Sequence, residues 1–311
     1  MVVLAAACLT GPRGTAPRYV VLQDSVYLSN MVVARTRDGA VVIDNTMFRD
    51  VTTAFLDSAT RTLADRRVAL LINSHGHDDH TWGNQVFADR GVPIAAHPAT
   101  IAYMTRRIDE MRVFRERGPV VVDASRDSLA TADSATAARL RARIDRVSTN
   151  LTRHRDLRVT VPTVAIGRDS SWRVGGARVH VLALGVAHST GDLAVLLPDH
   201  GIAVVGDLIG SDELPGLNTD GDLAGWVAAL DRISAAARDL GINRVIPGRG
   251  PATTVAAFAC NRAYLEALQQ WAPSAEPTTM VPAREAARCG LRVDSARHEN
   301  NSTAARAMRA R

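Results

Sequence analysis

The chain has 311 residues, of which 46% are apolar and 22% charged, an ordinary globular balance that excludes a mainly disordered, collagenous or disulfide-dense protein. The formal net charge is +5, all 37 basic residues are Arg, and the stretch from Glu276 onward carries seven of them against four acids. The remaining body is nearly neutral and only 4% of residues are aromatic, so there is neither a basic stripe nor a stacking platform, which argues against nucleic acid as a partner.

The N-terminal run Met1 to Gly11 is apolar, with small residues before Cys8, and is too short to span a bilayer. Residues 1–17 read as the remnant of a leader, which implies an exported protein, periplasmic or lipid-anchored at Cys8; a frayed strand on a cytoplasmic protein is the alternative. Segments 19–22, 26–36 and 40–44 then read as strands, 51–64 as a helix, and 68–73 and 93–96 as short buried strands. Helical patterns follow over about 99–116 and 134–153, with an irregular stretch at 118–131 around Gly118-Pro119. Strands return at 159–166, 171–174, 178–184, 193–197 and 202–205, with Gly175-Gly176 as a hairpin turn. A helix over 223–239 has Asp222 as its N-cap; a last strand at 243–246 and a helix at 251–270 complete the body. The residues divide into a leader at 1–17, one domain at 18–275 with a helical insertion at 99–158, and a partly disordered tail at 276–311. With Cys8 set aside, Cys260 and Cys289 remain, either as a disulfide stapling the tail to the body or as two free thiols.

Three of the nine histidines fall within six residues, in Ser74-His75-Gly76-His77-Asp78-Asp79-His80, directly after a predicted strand. Imidazole is the commonest neutral metal ligand, and an alternating His-x-His in a loop aims two rings at one ion while Asp79 and His80 turn toward a second point. His188 and Asp207 also follow predicted strands, where rigid backbone can hold a ligand. Asp44 reads equally as a partner for a ligand His or as a turn residue.

These motifs resemble the metallo-β-lactamase superfamily of binuclear zinc hydrolases. The matching pieces are His75-x-His77-x-Asp79-His80, His188 within Gly185-x-x-His188-Ser189-x-Gly191-Asp192, Gly206-Asp207, Ile246-Pro247-Gly248-Arg249-Gly250 and the upstream Val41-Val42-Ile43-Asp44; together they span about residues 19–270. The resemblance implies an α/β fold, a four-layer αββα sandwich. It implies that His75, His77 and His188 hold one metal, that Asp79 and His80 hold a second, and that Asp207 bridges them. Zinc is the implied ion, with iron or manganese as alternatives on His and carboxylate ligands.

The departure lies at Arg249, where the family pattern has a ligand His. A guanidinium has only donors and cannot ligate a metal, so one ion is expected to be firmly bound and the second weak or absent. Arg249 is expected to pair with Asp79 and Asp207 in its place and to stabilise an anion on the substrate. The implied activity is a hydrolase in which a zinc-bound hydroxide opens an amide or ester of a small-molecule substrate, a β-lactam being a candidate; its catalytic residues are Asp79, which orients the water or takes its proton, and Arg249, which helps polarise the carbonyl. A thioester hydrolase of glyoxalase type, a metallohydrolase of a periplasmic redox pathway, and a non-catalytic metal-binding protein are the alternatives. Trp82 is read as pocket floor or core, the arginines of 99–158 mostly as a solvated helix face, and residues 212–216 as a mobile rim.

Overall fold

A computed structural model describes residues 7–8, 18–63, 67–271 and 281–309. Its first sheet has seven strands in sequential order: β1 (Ala7–Cys8), β2 (Tyr19–Gln23), β3 (Asn30–Arg35), β4 (Ala40–Ile43), β5 (Val68–Ile72), β6 (Ile94–Ala96) and β7 (Val164–Ala165). Pairing is antiparallel from β1 to β4 and parallel from β4 to β7. Helices α1 (Arg49–Thr62), α2 (Asp78–Thr81), α3 (Asn84–Ala88), α4 (Pro98–Ser128) and α5 (Ser134–Arg153) interrupt it. The second sheet, in the order β13-β12-β11-β10-β9-β8, comprises β8 (Ser170–Val174), β9 (Ala177–Gly185), β10 (Asp192–Leu197), β11 (Ile202–Val204), β12 (Arg244–Ile246) and β13 (Thr253–Thr254). Helices α6 (Leu223–Asp239), α7 (Ala256–Trp271), α8 (Val281–Arg288) and α9 (Ser295–Arg309) cover its outer face.

The layering follows from strand periodicity. Val21, Val32, Ile43 and Ile72 of the first sheet meet Val181, Leu193, Val195 and Val204 of the second in one apolar layer. Their neighbours Val20, Leu22, Val33 and Leu71 point the other way, against Phe55 and Leu56 of α1 and Phe87 of α3. Ala194, Leu196 and Val245 likewise turn out against Trp226, Ile233 and Phe258. Alternation with a period of two, in strands buried on both faces, therefore builds the αββα sandwich, each fully buried Val or Leu contributing about 1.5–3 kcal/mol.

Several local expectations are corrected. The strand read over 26–36 begins only at Asn30, because the Asp24 carboxylate accepts hydrogen bonds from the backbone of Val26, Tyr27 and Ser29 and curls that stretch into a turn. The irregular stretch at 118–131 is largely helical: α4 runs on through Gly118-Pro119, where the absent side chain of Gly118 lets Leu151 of α5 pack against it. In the stretch 159–166 only Val164–Ala165 pairs as strand, after Pro162, which has no N–H for a ladder. Thr253–Thr254 pair with β12, so the following helix starts at Ala256.

Within the tail, Val281–Arg288 and Ser295–Arg309 form helices, and Ala286, Leu291, Ala304 and Ala305 join the core on α6 and α7; residues 276–280 and 310–311 lie outside the described residues. The Cys260–Cys289 disulfide, with Cα atoms 5.7 Å apart, fastens this segment to α7. Most of the leader stretch lies outside the described residues; Ala7–Cys8 pair with Val20–Val21. Among the described residues no helix is long and apolar enough to cross a membrane.

Candidate metal centre

Strands β4, β5, β11 and β12 all end at one edge of the sandwich, and the β9–β10 loop opens at the same edge. Asp44 follows β4, His75 to His80 follow β5, Asp207 follows β11, Arg249 follows β12, and His188 sits between β9 and β10. Two glycines make this convergence possible. Gly206 has φ +56°, and a Cβ there would lie 2.4 Å from Ser74 Oγ; a Cβ on Gly248 would lie 2.2 Å from Asp207 Oδ1.

His75, His77 and His188 come together. Their ring centroids are 4.8–5.1 Å apart, and each presents a ring nitrogen within 4.8 Å of the others, a group that could hold a metal ion. His77 Nδ1 lies 3.1 Å from His188 Nε2, while its Nε2 meets Asp220 Oδ2 at 3.1 Å. His75 Nε2 and His188 Nδ1 are buried without a hydrogen-bond partner. Buried polar atoms are costly to leave unpaired, so this donor set fits an ion. Burial, reinforced by the other imidazoles, holds His75 well below the usual histidine range; burial and His77 take His188 down to about 3. Both rings are therefore neutral, which is the form that ligates.

Beside them His80 is enclosed by carboxylates, its Nδ1 3.4 Å from Asp44 Oδ2 and its Nε2 3.3 Å from Asp207 Oδ1 and 3.6 Å from Asp79 Oδ2. Burial opposes its charge, but Asp207 and Asp79 outweigh it and raise the His80 pKa to about 10. Arg249 reaches the same carboxylates. Its Nε donates to Asp207 Oδ2 at 2.9 Å, its Nη2 pairs with Asp79 Oδ2, and its Nη1 donates to the Tyr27 carbonyl at 2.9 Å. Against the cost of burial, Arg249 and His80 hold Asp207 well below the ordinary carboxylate range, and His80 and Arg249 lower Asp79 too. Asp79 also accepts from Ser29 Oγ at 2.7 Å.

The surrounding residues fix these groups. Asp44, in the left-handed region at φ +57°, accepts from the Ser74 amide at 2.7 Å and from Ser74 Oγ at 2.6 Å, and Ser74 Oγ lies 3.0 Å from His75 Nδ1. Asp44, His75 and His80 form a second buried group of ligand type, but both Asp44 oxygens are already engaged by Ser74, which makes Asp44 a support. Asn30 holds the Arg249 loop by donating to the carbonyls of Pro247 and Gly250. Tyr103 of α4 packs beside His77, and Arg107 pairs with Asp78, so the helical insertion is anchored to the ligand loop. Trp82 is core, packed with Met111 and Leu157. Sequence reasoning missed Asp220, Ser29 and Tyr103; none follows a strand in a recognisable motif, and only tertiary contact reveals them.

A cavity of 390 Å³ opens on His188, Asp207 and Arg249. A larger one, 890 Å³, lies between α1 and the end of α5 and contains none of the converging ligand-type residues. Under the centre, Asp192 is buried and accepts from the Ser189 amide and hydroxyl; burial raises its pKa to about 7. A carboxyl raised from about 4 in the unfolded chain supports folding fully below pH 4 and loses that contribution as pH rises through 7, up to about 4 kcal/mol. Asp192→Asn is therefore expected to melt above the wild type at pH 8 and level with it at pH 4 in chelator-treated protein. A difference that does not change with pH would show that Asp192 is ionised in the fold.

A sequence profile of the metallo-beta-lactamase superfamily matches residues 25–248. No curated protein sequence matches significantly. Among solved structures, a metallo-beta-lactamase from Pontibacter korlensis superposes with a TM-score of 0.58 at 18% identity, over 84% of this chain and 99% of that one. DIM-1 metallo-beta-lactamase gives 0.56 at 14%, over 84% and 97%. A metallo-beta-lactamase from Erythrobacter litoralis gives 0.52 at 16%, over 80% and 92%. At these identities the structural likeness bears on the fold, and it is the profile match across most of the domain that shows the chain to belong to the metallo-beta-lactamase superfamily.

Proposed function

We propose that the protein is a zinc-dependent hydrolase with a single firmly held ion on His75, His77 and His188, acting on an amide or ester, with a β-lactam as the candidate substrate. The observation that carries this reading is the convergence of three imidazoles, with His77 Nδ1 and His188 Nε2 3.1 Å apart and His75 Nε2 buried without a partner. The bound ion supplies Lewis acidity, polarising a carbonyl and acidifying water. The chain's own residues do the rest. Asp79, kept ionised by its cationic neighbours, orients water as a hydrogen-bond acceptor. Arg249, held by Asp207, Asp79 and the Tyr27 carbonyl, presents a fixed positive charge at the cavity wall toward an oxyanion. Asp220 accepts from His77 Nε2, which fixes the tautomer whose Nδ1 would be free to hold the ion. His80, Asp79 and Asp207 complete a second cationic position that Arg249 fills. The Cys260–Cys289 disulfide supports an oxidising compartment, and with it export; lipid anchoring at Cys8 belongs to the same proposal.

The test is elemental analysis of protein purified without chelator or added metal, followed by a hydrolysis panel. About one zinc per chain, with chelator-sensitive turnover of a chromogenic cephalosporin, is expected. Turnover of S-lactoylglutathione alone would move the assignment to thioesters. Bound metal with no turnover of lactam, ester or thioester would leave a non-catalytic metal-binding protein, a reading that the occupied carboxylates Asp79 and Asp207 keep in view.

A further inference from the structure

The edge of the sandwich opposite the metal centre holds a second polar site. There β2 begins, β3 and β10 end, and the tight turn between β8 and β9 reaches across from the second sheet. A cavity of 320 Å³ opens between the sheets at this edge. Arg18, Arg35, Thr36 and Arg37 line it from the first sheet, and His200 and the Gly175-Gly176 turn line it from the second. Gly175, at φ +51°, lets the turn close on Thr36, since a Cβ there would lie 2.3 Å from Thr36 Oγ1. The Arg37 amide donates to the Gly175 carbonyl at 2.9 Å and Arg18 Nη2 donates to the Asp199 carbonyl, so the two sheets are joined around the cavity.

Positive charge is in surplus here. The cavity and the flanking β8–β9 hairpin carry Arg18, Arg35, Arg37, Arg173 and Arg178 against the carboxylates of Asp38 and Asp199. Arg37 takes Asp38 at 3.0 Å, Arg178 takes Asp199 at 2.8 Å, and Arg173 donates to the Gly176 carbonyl at 2.7 Å. Arg18 and Arg35 have no carboxylate partner among the described residues. Two buried polar atoms of the lining also lack a partner: the hydroxyl of Thr36, a residue only 5% exposed, and Nδ1 of His200. His200 Nε2 donates to the Arg35 carbonyl at 2.7 Å, which leaves Nδ1 as an acceptor in the neutral ring. Burial, with Arg18 and Arg35 adding repulsion, holds His200 below the usual histidine range and so keeps it neutral. The set is chemically specific. Guanidinium groups and a hydroxyl donor suit an oxyanion, and the lone acceptor suits an oxyanion that still carries a hydrogen. Inorganic phosphate near neutral pH meets both demands; sulfate and a phosphodiester carry no such hydrogen.

We propose that this cavity is a phosphate-binding site, in which Arg18, Arg35 and the Thr36 hydroxyl hold the oxyanion and His200 Nδ1 accepts its P–O–H hydrogen. The ligand spans both sheets at the far end of the domain from the metal centre, so its effect is on stability. The experiment is calorimetric titration of the full chain, as purified and after chelator treatment, with sodium phosphate and sodium sulfate near pH 7 at matched ionic strength. One saturable phosphate site is expected in both samples, about 10-fold tighter than for sulfate, and weakened about 10-fold in Arg35→Gln and in Thr36→Val. Phosphate should also raise the wild-type melting temperature above its value in sulfate, and by less in the two variants, whose melting temperatures in sulfate are the folding control. Equal binding of phosphate and sulfate, or binding unchanged in both variants, would overturn the proposal. So would binding abolished by chelator, which would put the ion at the metal centre. Phosphatidylglycerol vesicles give the last arm: cosedimentation with them and no saturable binding of free phosphate would make this edge a membrane-facing surface and overturn the site.

Discussion

Replacing Arg249 with His is expected to raise the metal content from about one ion per chain to about two. In the native chain the guanidinium engages Asp207 through Nε and Asp79 through Nη2, so the carboxylates that would face a second ion already face a fixed cation. Two cations sharing those oxygens would repel each other in a buried centre, where charge interactions are far stronger than in water. The His variant removes the fixed charge, frees both carboxylates and adds a neutral ring nitrogen near Asp79, His80 and Asp207. Arg249→Leu is the control, since it removes the charge without adding a ligand, and should take up a second ion more weakly. The check is elemental analysis after zinc loading and gel filtration. A variant that still holds one ion would show that the 247–250 loop does not bear on metal uptake.

The second large effect concerns stability. Asp207→Asn keeps the side-chain volume but leaves two cations, Arg249 and His80, without the carboxylate they share. Breaking one partner of a buried ion pair typically costs about 3–5 kcal/mol, because the remaining charge is uncompensated. The Arg249 side chain is 29% exposed, so water screens part of its charge and the lower end of that range is expected. In a protein of this size that corresponds to a melting temperature lower by roughly 5 °C in chelator-treated samples. Asp207→Asn combined with Arg249→Leu removes both sides of the pair and should recover much of the loss. Denaturant titration of the four proteins gives the coupling; strictly additive effects would mean that Arg249 and Asp207 are not paired in solution.

Much of the sandwich could be read from local pattern. Runs such as Val68–Ile72 and Ile202–Val204 are short, apolar and bounded by polar residues, so their identity as buried strands needed no tertiary information. The ligand-type residues were equally legible, because the chemistry sits in a compact motif after β5 and at three other strand ends. Local reasoning failed where a distant contact overrode a local signal. Gly118-Pro119 reads as a helix breaker, yet α4 continues because α5 packs against the gap left by Gly118. The Ala- and Arg-rich tail reads as weakly ordered, yet its apolar residues find the outer face of the second sheet and a disulfide fastens it there.

By itself, then, the sequence determined the order of strands and helices and the residue types that converge, since both rest on periodicity and on motif spacing, which are local; the αββα layering was what the resemblance carried by those motifs implied. Only the tertiary structure decided which atoms meet: that Arg249 pairs with Asp79 and Asp207, that Asp220 supports His77, and that Asn301 and Arg297 from the end of the chain shape the rim of the cavity. Those pairings join residues from about 40 to about 170 positions apart, so their geometry is set by how the two sheets stack and which loops open at the common edge. No window of neighbouring residues carries that information.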